Sequence, residues 1–230
     1  MRYIMSDIHG EYDLFVRLLK KIQFSESDEL YICGDIIEKG KDTVKLWKLI
    51  FSMPNTHVIM GNHEDNFLKH YNYLMRTCDG DFSSVLDNLK KCITDGGGDG
   101  ELLDWDMIDE MEALPYYIET EDFICIHAGC TLLEDGRVPP LDTVPTDELI
   151  NNRKFKNPDV IPKKSKCVFF GHTATNAVCG EDKIIAYKKT DLPTSDIGDF
   201  AKVHLDTCTF VSGVLGCFAV DTCKVYYVER

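Results

Sequence analysis

The sequence lacks any hydrophobic run long enough to cross a bilayer. Its first ten residues, MRYIMSDIHG, lack the long apolar segment and the cleavage site of a secretory signal peptide. We therefore expect a cytoplasmic protein without a membrane partner. Internal repeats, low-complexity tracts and linker-like segments are also lacking. With 44% hydrophobic residues the chain can bury a substantial core, and we expect residues 1–230 to form one domain.

Positive charge is scarce in this chain. It has 25 Lys and Arg residues against 39 Asp and Glu residues, which gives a formal net charge of −14. Because such a chain lacks the basic surface of a nucleic-acid binder, we expect no nucleic-acid partner. An anionic ligand can bind only where the negative potential of the chain is locally reversed. A bound cation is the obvious source of such a reversal.

The ten cysteines lack CxxC pairs and the close spacing of a disulfide framework. Several lie within apolar runs that are typical of strands, such as FICIH and KCVFF. We therefore expect reduced and mostly buried thiols, as in a cytosolic protein, and neither disulfide bonds nor a structural zinc site.

Strand-like runs alternate with amphipathic helical stretches through the first half of the chain. This repetition, which extends to residue 114, predicts a largely parallel sheet. After Pro115, short strand-like runs separated by turns predict antiparallel hairpins on a second sheet.

Three polar stretches are interpreted as ordinary connections or surface. GGGDG, residues 96–100, lacks the strand and GK[ST] context of a phosphate-binding loop, so we interpret it as a flexible connector or the edge of a lid. Glu64 and Asp65, and the acidic residues between 101 and 112, are expected on solvated helix surfaces.

Polar side chains recur beside a glycine where five of the predicted strands end. The runs concerned are YIMSDIHG, LYICGD, VIMGNHE, FICIHAG and VFFGHT. In open α/β sheets, ligands bind beyond the carboxyl ends of the strands, so we expect these side chains to meet. They are Asp7, His9, Asp35, Asn62, His63, His127 and His172.

These residue types offer oxygen and imidazole ligands without a thiolate, a set that suits Mn, Fe or Zn. Setting His63 apart, three histidines, two aspartates and one asparagine are too many ligands for a single tetrahedral ion with an open position. They fit two ions that share one bridging carboxylate. Such ions lie about 3.5–4 Å apart, lower the pKa of bound water and hold a phosphoryl group.

DIHG, GDIIEKG, GNHE, HAG and GHT occur in this order between Asp7 and Thr173. Together they resemble the motifs of the PPP-type phosphoesterases, which include phage- and bacterial-type protein Ser/Thr phosphatases and symmetrical diadenosine tetraphosphatases. The tail HLDTCTFVSGVLGCFAVDT resembles the family's closing segment, with Cys208 where glycine is usual. The resemblance covers nearly the whole chain. It implies a metallophosphoesterase-like α/β fold, a four-layer αββα sandwich of two packed mixed β-sheets flanked by helices.

The resemblance also implies a role for each residue at the strand ends. The metal ligands would be Asp7 and His9 for the first ion, Asn62, His127 and His172 for the second, and Asp35 as the bridge. His63 would be the general acid that protonates the leaving oxygen, and Asn62 would also face the substrate. The expected cofactor is two divalent ions, with manganese first and iron or zinc as alternatives.

The chain departs from the family pattern beside this site. Glu38 and Lys39 stand where the family has Asp-Arg, and we interpret Glu38 as the partner of His63 and Lys39 as a cationic clamp on the phosphate. Lysine offers a point charge where arginine offers a planar fork. A second phosphate ligand is expected at Arg153, although the family's preceding tryptophan is Asn152 here.

The resemblance implies hydrolysis of a phosphate monoester by direct, in-line attack of a metal-bridging hydroxide. No cysteine begins a C-x5-R loop, so a covalent phosphoenzyme is not expected. The compact size favours phosphoserine and phosphothreonine of proteins as the substrate. The alternatives are a symmetrical diadenosine tetraphosphatase, with a small phosphorylated substrate, and a non-catalytic protein that binds phosphoproteins.

Overall fold

The computed structural model describes residues 1–93, 103, 105–190 and 196–230; of residues 91–93 only the backbone is described. The stretch GGGDG, for which the sequence predicts a connector, lies outside the described residues, as do residues 101, 102 and 104 of the acidic stretch. The strands are β1 (Arg2–Met5), β2 (Glu29–Ile32), β3 (Thr56–Val58), β4 (Tyr117–Glu119), β5 (Phe123–Ile126), β6 (Cys167–Phe170), β7 (Ile185–Lys188), β8 (Phe200–His204), β9 (Val214–Ala219) and β10 (Lys224–Glu229). The α-helices are α1 (Tyr12–Lys21), α2 (Thr43–Ser52), α3 (Asn62–Thr77), α4 (Phe82–Ile93), α5 (Trp105–Glu112), α6 (Thr146–Asn151), α7 (Asn176–Cys179) and α8 (Thr209–Ser212).

The first sheet has the strand order β10-β9-β1-β2-β3. Strands β1, β2 and β3 run parallel, as the alternation of strands and helices predicts. The connecting helices are amphipathic: in α1, the buried residues Leu14, Phe15 and Leu18 lie on one face. Burying such a side chain contributes about 1.5–3 kcal/mol, so tertiary packing rather than propensity holds these short helices.

The second sheet has the order β4-β5-β6-β8-β7. Strands β5, β6 and β8 are parallel, and β4 and β7 pair antiparallel at the two edges. The sequence predicts the last hairpin on this sheet, and that prediction is wrong. Strands β9 and β10 extend the first sheet, where β9 pairs antiparallel with β1 through Tyr3 and Ala219. An alternating pattern marks a strand but does not specify its neighbour, which explains the error.

Alternation along the strands builds four layers. In β1, Tyr3 and Met5 pack against the helices of the first sheet, whereas Ile4 points toward the second sheet. Between the sheets, Ile4 joins an apolar cluster with Phe169 of β6 and Phe218 of β9. The outer face of the second sheet packs against α6 and the segment that follows it. The predicted sandwich of two mixed β-sheets flanked by helices is confirmed.

The described cysteines are free thiols, and five of them are buried: Cys33, Cys125, Cys130, Cys167 and Cys217. Within the described ranges, no helix has both the length and the apolar character that a membrane span requires.

Candidate metal centre

The polar residues that the sequence places at strand ends meet at one edge of the two sheets. In the first sheet, Asp7 follows β1 and Asp35 follows β2, while Asn62 begins α3 beyond β3. In the second sheet, His127 follows β5 and His172 follows β6. Parallel strands end at a common edge, so residues more than a hundred positions apart become neighbours.

Backbone hydrogen bonds hold the first two loops together. The Asp7 amide donates to the Gly34 carbonyl at 3.1 Å, and the His9 amide donates to the Asp35 carbonyl at 3.0 Å. Gly34 has a φ of +79°, and a Cβ there would lie 2.6 Å from the Gly61 Cα. A larger residue at position 34 would therefore separate the loop of Asp35 from the start of α3.

The site residues also share an uncommon backbone conformation. Six predicted site residues have a positive φ between 48° and 69°, the left-handed region that non-glycine residues seldom occupy: Asp7, His9, Asp35, Glu38, Lys39 and His172. Each such residue costs on the order of 1–3 kcal/mol, and strain of this kind concentrates at functional sites.

Asp35 is shared by two groups of side chains that could each hold a cation. Its carboxylate lies with Asp7 and His127 in one group and with His9 and His63 in the other, and the ligand atoms of each group lie within 4.8 Å of one another. A single carboxylate common to two clusters is the arrangement that a bridging ligand requires.

Hydrogen bonds fix the orientation of two of the histidines. The Nδ1 atom of His9 lies 2.9 Å from the Ile37 carbonyl, and that of His127 lies 2.7 Å from the Cys33 carbonyl. A carbonyl can only accept, so Nδ1 carries the proton in each ring and Nε2 keeps its lone pair. That arrangement is common for metal-binding histidines, whose outer nitrogen donates to a carbonyl.

Acceptor atoms converge around the Asn62 side chain. Its Oδ1 atom lies 3.0 Å from His127 Nε2 and 2.7 Å from His172 Nδ1. The His127 Nε2 atom is also 3.4 Å from Asp35 Oδ1. Because His127 Nδ1 donates to the Cys33 carbonyl, its Nε2 lone pair faces the Asn62 and Asp35 oxygens, and acceptors facing one another in this way fit a divalent cation between them.

The pKa shifts of these residues also favour a metal site. Burial, with a contribution from Asp35, raises the pKa of Asp7 to about 6, and burial also raises the pKa of Asp35 to about 6. Burial lowers the pKa of His172 to about 3 and holds the pKa of His9 and His127 below the ordinary value. Neutral imidazoles bind metals, and buried carboxylates gain most from a nearby cation. The residues present therefore fit two divalent ions.

His63 differs from these three histidines. Its Nδ1 atom lies 2.5 Å from Glu38 Oε2, and its Nε2 atom lies 3.8 Å from Asp35 Oδ2. Burial opposes the charged form, but the hydrogen bond to Glu38 and the charge of Asp35 raise the pKa of His63 above its ordinary value. The imidazole is oriented and disposed to carry a proton, as a general acid must be.

A cavity of about 200 Å³ opens above these residues. Its floor is formed by four buried residues, Asp7, His9, Asp35 and Asp206. Its rim consists of four exposed residues, Lys39, Arg153, Phe210 and Val211. The Lys39 Nζ atom points into the cavity and donates to His9 Nε2 at 2.7 Å. The two predicted phosphate ligands, Lys39 and Arg153, thus lie on one cavity edge and make it locally cationic in an acidic chain.

Glu64 is not on the solvated helix surface, so that prediction is wrong. It is completely buried in the third position of α3. Its carboxylate accepts hydrogen bonds from the amides of Asp35, Ile36 and Ile37 at 2.8, 2.8 and 3.1 Å. It also accepts from the Gly61 amide at 3.0 Å. Glutamate at this position of a helix is a known capping signal, and GNHE contained it.

Asp206 is a floor residue to which the sequence analysis gives no role. It follows β8, the third parallel strand of the second sheet, just as His127 follows β5 and His172 follows β6. Burial, reinforced by the charge of Asp7, raises the pKa of Asp206 well above its ordinary value. The signal was present in the segment HLDT, where an aspartate follows an apolar run.

Residues 3–187 match the family described as Calcineurin-like phosphoesterase. The chain belongs to this family, whose members use a dinuclear centre of divalent metal ions. The resemblance inferred from the five motifs is confirmed at this level.

Two curated relatives carry the same description, "Bis(5'-nucleosyl)-tetraphosphatase, symmetrical". The protein from Wigglesworthia glossinidia brevipalpis is 41% identical over 71 residues, which are 30% of this chain and 26% of that protein. The protein from Vibrio campbellii is 28% identical over 137 residues, which are 58% of this chain and 46% of that protein. The chain thus spans less than half of the length of either relative.

Two solved structures share the fold. A crystal structure described as a candidate diadenosine tetraphosphatase superposes with a TM-score of 0.70 at 18% identity, covering 99% of this chain and 92% of the other. A metallophosphoesterase from Sphaerobacter thermophilus gives a TM-score of 0.55 at 14% identity, covering 100% and 87%. At these identities the comparison concerns the fold alone.

Proposed function

We propose that the protein is a phosphohydrolase with a dinuclear metal centre, and that it hydrolyses the central phosphoanhydride bond of a dinucleoside polyphosphate. The observation that carries the proposal is the Asp35 carboxylate on the cavity floor, which lies within 4.8 Å of ligand atoms of Asp7 and His127 and also of His9. The proposed ligands are those that the sequence suggests, namely Asp7, His9, Asp35, Asn62, His127 and His172.

Two divalent ions held there would supply Lewis-acid activation of water and neutralise the charge of the phosphoryl group. We propose manganese first, with iron and zinc as alternatives, because carboxylate, amide and imidazole ligands without thiolate suit all three. Lys39 and Arg153 bind the phosphate oxygens from the rim, where their charges offset those of an anionic substrate.

His63 donates a proton to the leaving oxygen. Its Nδ1 atom is engaged by Glu38 at 2.5 Å, so Nε2 is the atom that faces the cavity. Glu38 therefore acts as a positioning residue, which orients the imidazole and favours its protonated form. Proton transfer by such a group contributes about 10²–10⁴-fold to a rate.

The curated relatives support the dinucleotide as the substrate. The sequence analysis places phosphoserine and phosphothreonine first and the tetraphosphatase second, and the relatives favour the second. Hydrolysis of protein phosphate remains a second candidate, since Lys39 and Arg153 are exposed and a phosphorylated side chain could reach them from a protein surface. A protein that binds phosphoproteins without turnover is the remaining alternative.

One assay separates the three candidates. The protein is stripped with a chelator, reloaded with Mn²⁺, Fe²⁺ or Zn²⁺, and given diadenosine tetraphosphate or a phosphoserine peptide. We expect metal-dependent conversion of the dinucleotide to two molecules of ADP, at a higher kcat/KM than release of phosphate from the peptide. Preference for the peptide would support a protein phosphatase, and failure to turn over either substrate would leave only the binding protein.

A further inference from the structure

Two neighbouring apolar side chains lie on the rim of the metal-centre cavity. Phe210 is 40% exposed and Val211 is 76% exposed, although both line a cavity whose floor is polar. Single exposed apolar residues are ordinary on protein surfaces. An adjacent pair that borders a cavity with convergent polar groups is the composition of a ligand site.

The segment that carries this pair is fixed by its own hydrogen bonds. The Ser212 hydroxyl donates to the Thr207 carbonyl at 2.8 Å, and the Thr207 hydroxyl donates to the Val214 carbonyl at 2.7 Å. The Phe210 carbonyl accepts from Arg230 Nη2 at 3.2 Å. Because the backbone on both sides is tied down, the apolar pair is held in place at the cavity edge.

The size of the cavity limits what it can enclose. At about 200 Å³ it is smaller than the roughly 300–1,000 Å³ of sites that enclose a drug-sized ligand. It has room for the reacting phosphoryl group, and the remainder of a larger substrate must lie across the rim. On that rim, Lys39 and Arg153 are suited to phosphate oxygens, whereas Phe210 and Val211 are suited to an apolar or aromatic group.

We propose that Phe210, flanked by Val211, is the surface on which a nucleobase of the substrate stacks while the polyphosphate lies against Lys39 and Arg153. This inference rests on the dinucleoside polyphosphate substrate proposed above. Every nucleobase is flat and has a π-face, so any of the bases can stack on an aromatic side chain. A phosphoserine side chain has no ring of its own.

The test compares two substrates in three variants. Diadenosine tetraphosphate carries bases, and β-glycerophosphate carries none. For Phe210→Ala we expect the ratio of kcat/KM for the dinucleotide to that for β-glycerophosphate to fall about tenfold, mostly through KM. Phe210→Trp should retain the ratio, because it keeps an aromatic face. Phe82→Ala is the matched control, since Phe82 is 51% exposed on α4 and does not line the cavity.

The outcomes distinguish this inference from the proposed function. If the wild-type protein turns over β-glycerophosphate but not the dinucleotide, the proposed substrate and the stacking surface both fail. If the wild type turns over the dinucleotide and Phe210→Ala keeps the ratio within twofold, the stacking surface alone is wrong. Equal losses for both substrates in Phe210→Ala would also overturn it, because they would indicate a general disturbance of the loop.

Discussion

The floor and the rim of the cavity differ in their burial and in how closely their residues match the motifs of the family. Asp7, His9 and Asp35 on the floor are at most 4% exposed, whereas Lys39 and Val211 on the rim are exposed. The departures from the motifs that the resemblance implies lie at or beside the rim, namely Glu38, Lys39, Asn152 and Cys208. We therefore expect the floor to define the class of chemistry and the rim to adapt it to one substrate.

The energetic difference between the two regions explains this division. A floor residue is buried and its polar atoms have polar neighbours, so its replacement leaves buried polar groups without partners. A rim residue faces water, and its replacement costs little stability. Substitutions on the floor should therefore abolish turnover for every substrate, while those on the rim should change the choice among substrates.

The largest effect is expected for Asp35→Asn on the floor. Losing the shared carboxylate should lower turnover of every substrate by about 10³-fold or more, since metal-based charge stabilisation amounts to several kcal/mol. Elemental analysis should find fewer than two metal ions per chain. Asp13→Asn, at an exposed position of α1, is the control and should keep both activity and metal. Near-normal turnover by Asp35→Asn would refute the bridging role.

A smaller loss is expected for His63→Gln, on the cavity wall between floor and rim. Without the proton donor, turnover of an alkyl phosphate should fall by about 10²–10⁴-fold. The loss should be smaller for p-nitrophenyl phosphate, whose leaving group needs no proton. Metal content should stay at two ions. The exposed helical residue His70 provides the matched control, His70→Gln. Equal losses for both leaving groups would contradict the role of His63 as general acid.

A modest effect is expected at Lys39 on the rim. Lys39→Ala should raise KM about tenfold, because a charged hydrogen bond to the phosphate is lost. Lys39→Arg should keep most of the affinity and change the ratio between phosphopeptide and dinucleotide, since arginine offers a planar fork. Lys41→Ala, in the same loop but outside the lining of the cavity, should behave as wild type. An unchanged KM in Lys39→Ala would show that the rim cation does not bind substrate.

The smallest effect on turnover is expected for a lysine remote from both regions, which affects stability instead. Lys202 of β8 is buried and donates to the Phe155 and Asn157 carbonyls at 2.6 and 2.8 Å. Burial lowers its pKa to about 7, with Asp159 the nearby charge that opposes the shift. Between this value and the unfolded pKa of about 10.4, the unfolded chain binds more protons, so stability from this group rises with pH.

Urea unfolding of wild type and Lys202→Met measures this term. The free energy of unfolding of the wild type minus that of the variant should increase between pH 7 and pH 10. Other titrating groups are common to both proteins and cancel in the difference. A difference that stays constant with pH would show that Lys202 keeps its ordinary pKa in the folded state.

Much of the floor could be predicted from the sequence, because it depends on local patterns. An apolar run followed by glycine and an acid or histidine marks the end of a buried strand, and parallel strands bring such ends together. Asp206 follows the same pattern. A single aspartate after a strand is weak evidence for a site residue, however, when the other side chains already account for the expected metal ligands. The sequence does not reveal that Glu64 is buried, because a glutamate in a helix is usually solvated. Its hydrogen-bond donors are the amides of a loop that is distant in sequence.

Neighbours in space that are distant in sequence could not be predicted in the same way. The last hairpin pairs with β1, and the alternation of apolar residues in β9 does not specify that partner. The sequence also does not predict that Phe210 and Val211 lie on the rim, because they look like any other apolar pair in a strand-rich tail. Its position beside Lys39 and Arg153 appears only once α8 is placed against the cavity.

At the site residues with a left-handed backbone, the residue that would be best for stability differs from the residue that the function needs. At positions such as Lys39 (φ 64°) glycine would fit the backbone better than the residue that is present. A drift toward stability at these positions would therefore replace the side chains that the chemistry needs. The cost of this strained conformation must be offset elsewhere in the fold, in its two sheets and their shared apolar layer.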